Sequence, residues 1–412
     1  MITGTNVTLL IGGSIAAYKA AELTRELVKK GARVHVVMSE SATKFITPLT
    51  MQSLSGNLVT TDLFDEVRES RINHIWLADH ADIVLVAPAT ADIIARAAAG
   101  MANDSLTTVL LATKAPVVFA PAMNVNMWQN PITQRNVQTL REFGMHFVEP
   151  GEGELACGWF GPGRFAETDD ILHTISFVRS VKDLNGSHVV IAAGPTQEPL
   201  DPVRFISNRS SGRLGFALAR VACWRGARVS LVAGPTALEP PPGVDFYPVC
   251  TAVEMRDKVI ELASRKIDSA DGRGVQFVFM PTAVTDHMPK SFSKTKLKQE
   301  TRGNLAVELI PTPDILQELG DHRDQIAKSS GRSVKLIGFM AETADEEELL
   351  EWARDKLEKK NADLMVINAF DPSFEESAIR VLVVDRAGRQ EEIASAEQTL
   401  TASKIVSAAL RV

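Results

Sequence analysis

The feature that most constrains this chain is that it opens the same kind of fold twice. The stretch from Ser187 to Arg220 begins with an apolar run, Val189 to Ala193, of the length and β-branched content of a buried strand. It breaks at Gly194 and Pro195 into a long polar loop and ends on the helical spacing Leu214, Ala217, Leu218, Val221. The first fifty residues follow the same order: a run Val7 to Ile11, a tight Gly12-Gly13-Ser14 turn, then a helical stretch from Ala16 to about Lys30. The same phrase follows both helices, Gly31-Ala32-Arg33-Val34 and Gly226-Ala227-Arg228-Val229, and each leads into a further strand. Strand, glycine turn and helix in that order start a doubly wound α/β sheet. A chain of 412 residues is too long for one ordinary domain. The repeat therefore predicts two Rossmann-like domains, residues 1–183 and 187–412, divided at the turn sequence from Asp183 to Ser187.

In the first half, strand-like runs recur at Val34–Met38, Ile83–Ala87, Val117–Ala120 and His146–Val148, with helical segments between them. That spacing predicts a parallel sheet covered on both faces. Ligands of such sheets sit beyond the carboxyl ends of the strands. The loops there are Gly12-Gly13-Ser14, Ser39-Glu40-Ser41, Pro88 to Asp92 and Pro121 to Asn124, all rich in small or hydroxyl residues. Glycine lets backbone N–H groups approach a phosphate, and Ser14 and Ser39 add donors, so a phosphate-bearing cofactor is expected. A formal charge of −7 argues against general nucleic-acid binding. No stretch reaches the ~18 apolar residues of a membrane span, and the N-terminus has no basic leader, so the expected location is the cytoplasm. Three cysteines, Cys157, Cys223 and Cys250, make a disulfide framework improbable and offer no paired zinc spacing.

Three residues carry chemistry together that none carries alone. His74 lies in RINHIWLADHAD, Asn124 in PAMNVNMW directly after a strand run, and Cys157 in the glycine-rich loop ELACGWFGPGR, which has the look of a flap. Singly they read as a surface histidine, a turn-forming asparagine and a small buried hydrophobe. As a set they supply a base or electrophile, an amide donor and a thiol proton for a carboxylate substrate.

GGSIAAYK, the passage from His74 to Thr90, GMAND, PAMNVNMW and ACGxxGxGR together resemble the flavin-dependent cysteine decarboxylases. The second half resembles phosphopantothenate–cysteine ligase, and the whole chain resembles the bacterial bifunctional decarboxylase/synthetase family of coenzyme A biosynthesis. The resemblance implies an N-terminal flavodoxin-like flavoprotein domain and a C-terminal nucleotide-binding ligase domain. It implies FMN held by Gly13, Ser14, Ile15, Ser39 and Ser41 near the phosphate and ribityl chain, and by Thr90, Ala91, Asp92, Ile93 and Ala122 nearer the ring. It makes His74 the active-site histidine, Asn124 the group that binds the substrate carboxylate and Cys157 the proton donor. Asp92 stands where many relatives carry Asn, and Trp159 where many carry Asp.

In the second half, strand runs at Val229–Ala233, Val275–Met280, Val334–Phe339 and Leu364–Ile367 alternate with helical segments, again predicting a mostly parallel sheet. No GxxxxGK[ST] sequence occurs, so any nucleotide site is of the glycine-rich Rossmann-like kind. Met288 to Arg302 holds Lys290, Lys294, Lys296, Lys298 and Arg302 against Glu300. Such a run is usually a solvated loop, and its composition also suits a lid over a triphosphate. The ligase resemblance, carried by AGPTQEPLDPVRFISNRSSGRLG, TAVTDHMP, KLK, GFMAET and ARDKLEKK, gives these residues roles. It implies that Asn208 handles the activated carboxylate, Asp286 binds the ribose, Lys296 the phosphates, Phe339 lies beside the base, and Lys356 and Lys360 lie near the nucleotide. Met280-Pro281-Thr282 departs from the small residues usual in that family. CTP with Mg2+ is the implied nucleotide, 4′-phosphopantothenate and cysteine the implied substrates, and an acyl-cytidylate the implied intermediate. The product, 4′-phosphopantothenoylcysteine, would be decarboxylated by the first half to 4′-phosphopantetheine. Homo-oligomers are implied too: trimers of the first half, dimers of the second, and a dodecamer if both operate. The rival readings are a flavoprotein that does not decarboxylate and a regulatory scaffold that has lost catalysis. The presence of His74 and Cys157 weighs against the first, and intact motifs without acidic tails against the second.

Overall fold

Val7, Leu9 and Ile11 belong to one apolar cluster and Leu10 to another, and all four are fully buried. A strand that alternates between two cores must be covered on both sides, which is the position of a central strand in a three-layer α/β unit. The computed structural model describes residues 2–63, 73–155, 158–265, 274–297, 306–331, 333–342, 345–369, 379–395 and 397–412. Two compact units comprise Met1–Ser180 and Val181–Val412.

In the first unit β1 (Asn6–Ile11) leads through a 3-10 turn, Ile15–Tyr18, into α1 (Lys19–Lys29) and β2 (Arg33–Met38). The helix expected from Ala16 therefore begins only at Lys19, because Ser14 caps the tighter turn by accepting from the Ala16 N–H at 3.2 Å. Next come α2 (Pro48–Ser55), α3 (Asn73–His80), β3 (Ile83–Ala89), α4 (Ala91–Ala98) and α5 (Ser105–Ala112). Then follow β4 (Val117–Pro121), α6 (Val125–Gln129), α7 (Pro131–Glu142) and β5 (His146–Phe147). A hairpin of β6 (Gly151–Glu154) and β7 (Phe160–Arg164) precedes α8 (Thr168–Arg179). The five-stranded sheet has the order β2-β1-β3-β4-β5, parallel throughout. This is the flavodoxin-like order, whose direction reverses between β1 and β3 and opens a crevice there.

The second unit starts from β8 (His188–Ala193), a hairpin of β9 (Gln197–Pro199) and β10 (Phe205–Ser207), α9 (Arg213–Trp224) and β11 (Arg228–Ala233). It continues with β12 (Asp245–Pro248), α10 (Ala252–Ser264), β13 (Val275–Met280) and the small pair β14 (His287–Pro289) and β15 (Leu309–Pro311). After α11 (Ile315–Asp321) and α12 (Arg323–Ser330) come β16 (Lys335–Glu342), α13 (Glu346–Lys359) and β17 (Leu364–Ala369). The chain closes with β18 (Ile379–Asp385), β19 (Gln390–Ser395) and α14 (Gln398–Ala409). The main sheet runs β12-β11-β8-β13-β16-β17-β18-β19, parallel as far as β17 and antiparallel at the last two strands. Counted from its own first strand this is the Rossmann order, with the reversal between β8 and β13.

The repeated Gly-Ala-Arg-Val phrase marks the same joint in both units. Gly31 and Gly226 stop their helices at φ 81° and 91°, in the left-handed region. Ala32 and Ala227 N–H groups bond back to Leu27 and Ala222, and Arg33 and Arg228 N–H groups enter the sheet by donating to Thr5 and Ser187. Ahead of β8, Lys182 Nζ donates to the Trp224 carbonyl at 2.6 Å and the Leu184 N–H to the Arg225 carbonyl at 3.0 Å. The Arg225 guanidinium meets the Asp183 carboxylate and also donates to the Ser403 carbonyl and Ser407 Oγ. No helix among the described residues is long and apolar enough to cross a membrane.

Candidate functional site

The crevice of the first unit is a cavity of about 610 Å³, within the usual size of small-molecule sites. Its floor is the turn after β1. A Cβ on Gly13 would overlap Ser41 Oγ and Cβ and stand 3.0 Å from the Ser41 carbonyl carbon, so only glycine lets the two loops approach. Gly13, Ser14, Ile15 and Ser41 line this side. Ser39 is buried behind them: its Oγ is 3.0 Å from Ser41 Oγ and accepts from the Ala42 N–H at 3.1 Å, so it supports the wall rather than forming it.

The opposite side is the start of α4. Thr90 caps that helix by accepting from the Ile93 N–H at 3.3 Å, and Thr90, Ala91 and Asp92 line the cavity. Ile93 is buried and packs behind Gly12, so it shapes the cavity from outside. Asp92 pairs with Arg96 at 2.8 Å, and Arg96 reaches on to Asp104 at 2.5 Å. Asp104 also forms the capping box of α5 with Thr107. Burial pushes the Asp104 carboxyl up, but its bonds from Thr107 and Arg96 outweigh this and hold it below the usual carboxylate range.

Ala122, Met123 and Asn124 follow β4 and close the third side. Asn124 caps α6 by accepting from the Asn126 N–H at 2.8 Å and lines the cavity at the same time. The β6–β7 hairpin docks here, the Met123 N–H donating to the Gly163 carbonyl at 3.0 Å. It brings Glu154, Leu155, Arg164 and the following Phe165 to the cavity, and Tyr18, Lys19 and Met127 also line it. The sequence reading did not single these out, although Lys19 and Arg164 end the GGSIAAYK and ACGxxGxGR motifs. His74 sits in the first turn of α3 and is not among the lining residues. Cys157 lies outside the described residues.

In the second unit the reversal lies between the ends of β8 and β13. There the Ala283 N–H and Thr282 Oγ1 donate to the Gly194 carbonyl at 3.0 and 2.8 Å. The side chain of Thr282, one of the departures noted in the sequence, thus ties the two loops together. Asn208 Nδ2 donates to the Val284 carbonyl at 2.9 Å, and Ser207 Oγ to the Thr196 carbonyl at 2.7 Å, which brings Asn208 to the same crevice. Asp286 is exposed just beyond, its carbonyl accepting from the Thr312 N–H at 3.0 Å. Phe339, half-buried, is one residue past the Met280–Gly338 pair that ends the β13–β16 register. Lys356 and Lys360 are ion-paired, with Glu342 at 3.2 Å and Asp314 at 2.9 Å.

Lys296 is exposed, but its neighbour Leu297 is held by Asp201 and Arg204. Lys298 and Arg302 lie outside the described residues. Burial raises the Asp201 carboxyl, and donors from Val203, Arg204 and Leu297 more than reverse this, keeping it ionised well below the ordinary range.

A flavodoxin-type unit whose crevice is lined by a glycine and serine turn, followed by a Rossmann-type unit, defines a two-domain flavoprotein. Comparison with known proteins agrees: the flavoprotein family model matches residues 1–180, and the model of the DNA/pantothenate metabolism flavoprotein C-terminal domain matches 184–412. The coenzyme A biosynthesis bifunctional protein CoaBC of Bacillus subtilis (strain 168) is 46% identical over 373 residues, covering 89% of this chain and 86% of that protein. CoaBC of Escherichia coli (strain K12) is 42% identical over 374 residues, with coverage of 89% and 86%. Among solved structures, the FMN-dependent cysteine decarboxylase SpaF is 30% identical, covering 42% of this chain and 96% of that one, with a TM-score of 0.37. The chain belongs to the family of coenzyme A biosynthesis bifunctional enzymes.

Proposed function

We propose that the second unit joins 4′-phosphopantothenate to cysteine at the expense of CTP, and that the first decarboxylates the resulting 4′-phosphopantothenoylcysteine to 4′-phosphopantetheine. The observation that carries the first half of this reading is the cavity at the β1/β3 reversal, with its glycine floor and hydroxyl wall. Gly13, Ser14, Ile15 and Ser41, backed by Ser39, would hold the phosphate and ribityl end of FMN, and Thr90, Ala91, Asp92 and Ala122, backed by Ile93, its ring. Bound there, the flavin supplies reversible two-electron oxidation of the cysteinyl group, which makes loss of CO2 easy. Asn124 orients the substrate carboxylate with its side-chain amide, and Cys157 gives the proton that completes the product. His74, which is not among the residues lining this cavity, is assigned the role of active-site histidine on the family resemblance.

In the second unit the pantothenate carboxylate attacks the α-phosphorus of CTP, and pyrophosphate leaves with its electron pair. The cysteine amine then displaces CMP from the acyl-cytidylate. Lys296 stabilises charge on the departing phosphates, Asn208 holds the activated acyl group, and Asp286 and Phe339 hold the nucleoside. Lys356 and Lys360 act near the nucleotide only by exchanging their present carboxylate partners. Mg2+ is proposed to arrive with the triphosphate. Among the described residues no group of three or more His, Cys, Asp or Glu is placed to hold a metal. The cytoplasm is the proposed location.

Replacement of Lys296 by Gln tests the ligase reading. Loss of a donor aimed at developing charge costs on the order of 100- to 1,000-fold in rate. Pyrophosphate release from CTP and 4′-phosphopantothenate should fall by that much, with flavin content and decarboxylation unchanged and Lys294→Gln near wild type. Equal, mild effects of both substitutions would return this segment to a solvated loop.

A further inference from the structure

A solvated basic loop needs no attachment, yet the segment that bears Lys296 is bonded at both ends to a single turn. That turn is Leu200 to Arg204, closed by the Leu200 N–H donating to the Arg204 carbonyl at 2.8 Å. At one end of the segment the Ser293 N–H donates to the Leu200 carbonyl at 3.0 Å, and Ser293 Oγ donates to the Thr295 carbonyl at 2.6 Å. At the other end Leu297 is gripped on both sides of its backbone. Its N–H donates to Asp201 Oδ2 at 3.2 Å, and its carbonyl accepts from Arg204 Nη2 at 2.8 Å.

Asp201 is the hub. It is 2% exposed, and its two oxygens have different duties. Oδ1 accepts from the Val203 and Arg204 N–H groups at 2.8 and 2.9 Å and so shapes the turn. Oδ2 accepts from Arg204 Nε and Nη2 at 2.9 and 2.7 Å and from Leu297, and so docks the basic segment. The turn also leads directly into β10 and Asn208, whose amide is fixed against the Val284 carbonyl. One carboxylate therefore connects the backbone carrying Lys296 to the backbone carrying Asn208. Only an ionised carboxylate serves here, because all five groups facing it are donors.

We propose that Asp201 is a positioning residue for the ligation, setting Lys296 against Asn208 through Arg204 and the Leu297 peptide. The proposal rests on the reading of Lys296 as a nucleotide-phosphate ligand.

Asp201→Asn in the full chain separates the two duties of the carboxylate. With its oxygen toward Val203 and Arg204, the amide keeps the turn, but its NH2 faces the three donors that Oδ2 now accepts, so the docking is lost. Hydrogen exchange followed by mass spectrometry should show roughly tenfold faster exchange across 293–297. CTP-dependent pyrophosphate release should fall about 10- to 100-fold, the scale of an ångström-sized misplacement, with flavin content and decarboxylation unchanged. Unchanged exchange would overturn the proposal. Faster exchange with near-wild-type turnover, in a protein where Lys296→Gln is severely impaired, would also overturn it while leaving the role of Lys296 standing. A mild Lys296→Gln would remove the reading beneath it, and the proposal with it. Should Asp201→Asn fail to fold, Arg204→Lys loses the forked contact to Asp201 and Leu297 from a partly exposed side chain and carries the same expectation.

Discussion

Substituting Gly13 by alanine asks how much of the proposed flavin site depends on one close approach. Gly13 is not in the left-handed region, so alanine is permitted there by its own backbone, and the whole conflict is with Ser41. The new methyl would overlap Ser41 Oγ and Cβ, and the Ser41 carbonyl carbon, 3.0 Å away, limits escape by rotation of the serine side chain. Ser41 is also held by Ser39 at 3.0 Å, so relief requires the two loops to part. Overpacking of this kind costs about 1–3 kcal/mol. Because both loops line the cavity, that cost falls on the geometry needed for binding, and it corresponds to a loss of FMN affinity of about 5- to 150-fold. The assay is titration of apoprotein with FMN, followed by quenching of flavin fluorescence, alongside thermal unfolding of the apoprotein. Ser41→Gly removes the overlapping atoms, so the double variant should regain most of the lost affinity, a coupling that independent sites do not show. Affinity of Gly13→Ala within twofold of wild type, or no recovery in the double variant, would refute the steric argument.

Further outcomes follow from the proposed roles. Cys157→Ser should retain FMN and release CO2 but stall before the final reduction, since a hydroxyl is a far weaker acid than a thiol; mass spectrometry should find an oxidised enethiol-type product. His74→Asn should keep the flavin and block the earlier steps, and arrest of both variants at one stage would void this division of labour. Asp104 has a folded-state pKa below its unfolded value, so its contribution is complete above the ordinary carboxylate pKa of ~3.9 and disappears as pH falls through the folded value. Asp104→Ala, which removes a helix cap, should therefore lower stability by about 1–2 kcal/mol at neutral pH and by much less in acid. A penalty that does not shrink as pH falls would contradict the assignment.

What could be read in the sequence was whatever burial writes as uninterrupted apolar runs. β1, β3, β8 and β11 stood out because both of their faces are covered, and β3 is buried at all seven residues. The loops at their ends followed, and with them much of the cavity wall. The β6–β7 hairpin read as a loop because Gly161 and Gly163 sit at φ 150° and 137°, so its second strand has the composition of a turn. β12 was missed because it is mostly exposed and β19 because it buries little, while the apolar run of β18, Val381 to Val384, is only four residues long and was passed over. Lys356 and Lys360 were placed by the ligase resemblance, which gives a neighbourhood but not the carboxylates waiting on neighbouring elements. Likewise Asp201 looked like one more polar residue in a long loop; five donors converging on it is a tertiary fact.

The residues between the two units are not neutral string. Lys182 and Asp183 come before the first strand of the second unit, yet both are already spent on its interior: one on the Trp224 carbonyl, the other on Arg225, a guanidinium only 10% exposed. The other partners of Arg225 there, the Ser403 carbonyl and Ser407 hydroxyl, are uncharged. A lineage that parted these two activities into separate genes would thus find its seam chemically marked. Parting at Ser180 keeps Asp183 with Arg225. Parting three residues later leaves a sheltered cation without its anion, a cost to the ligase half that parting at Ser180 avoids.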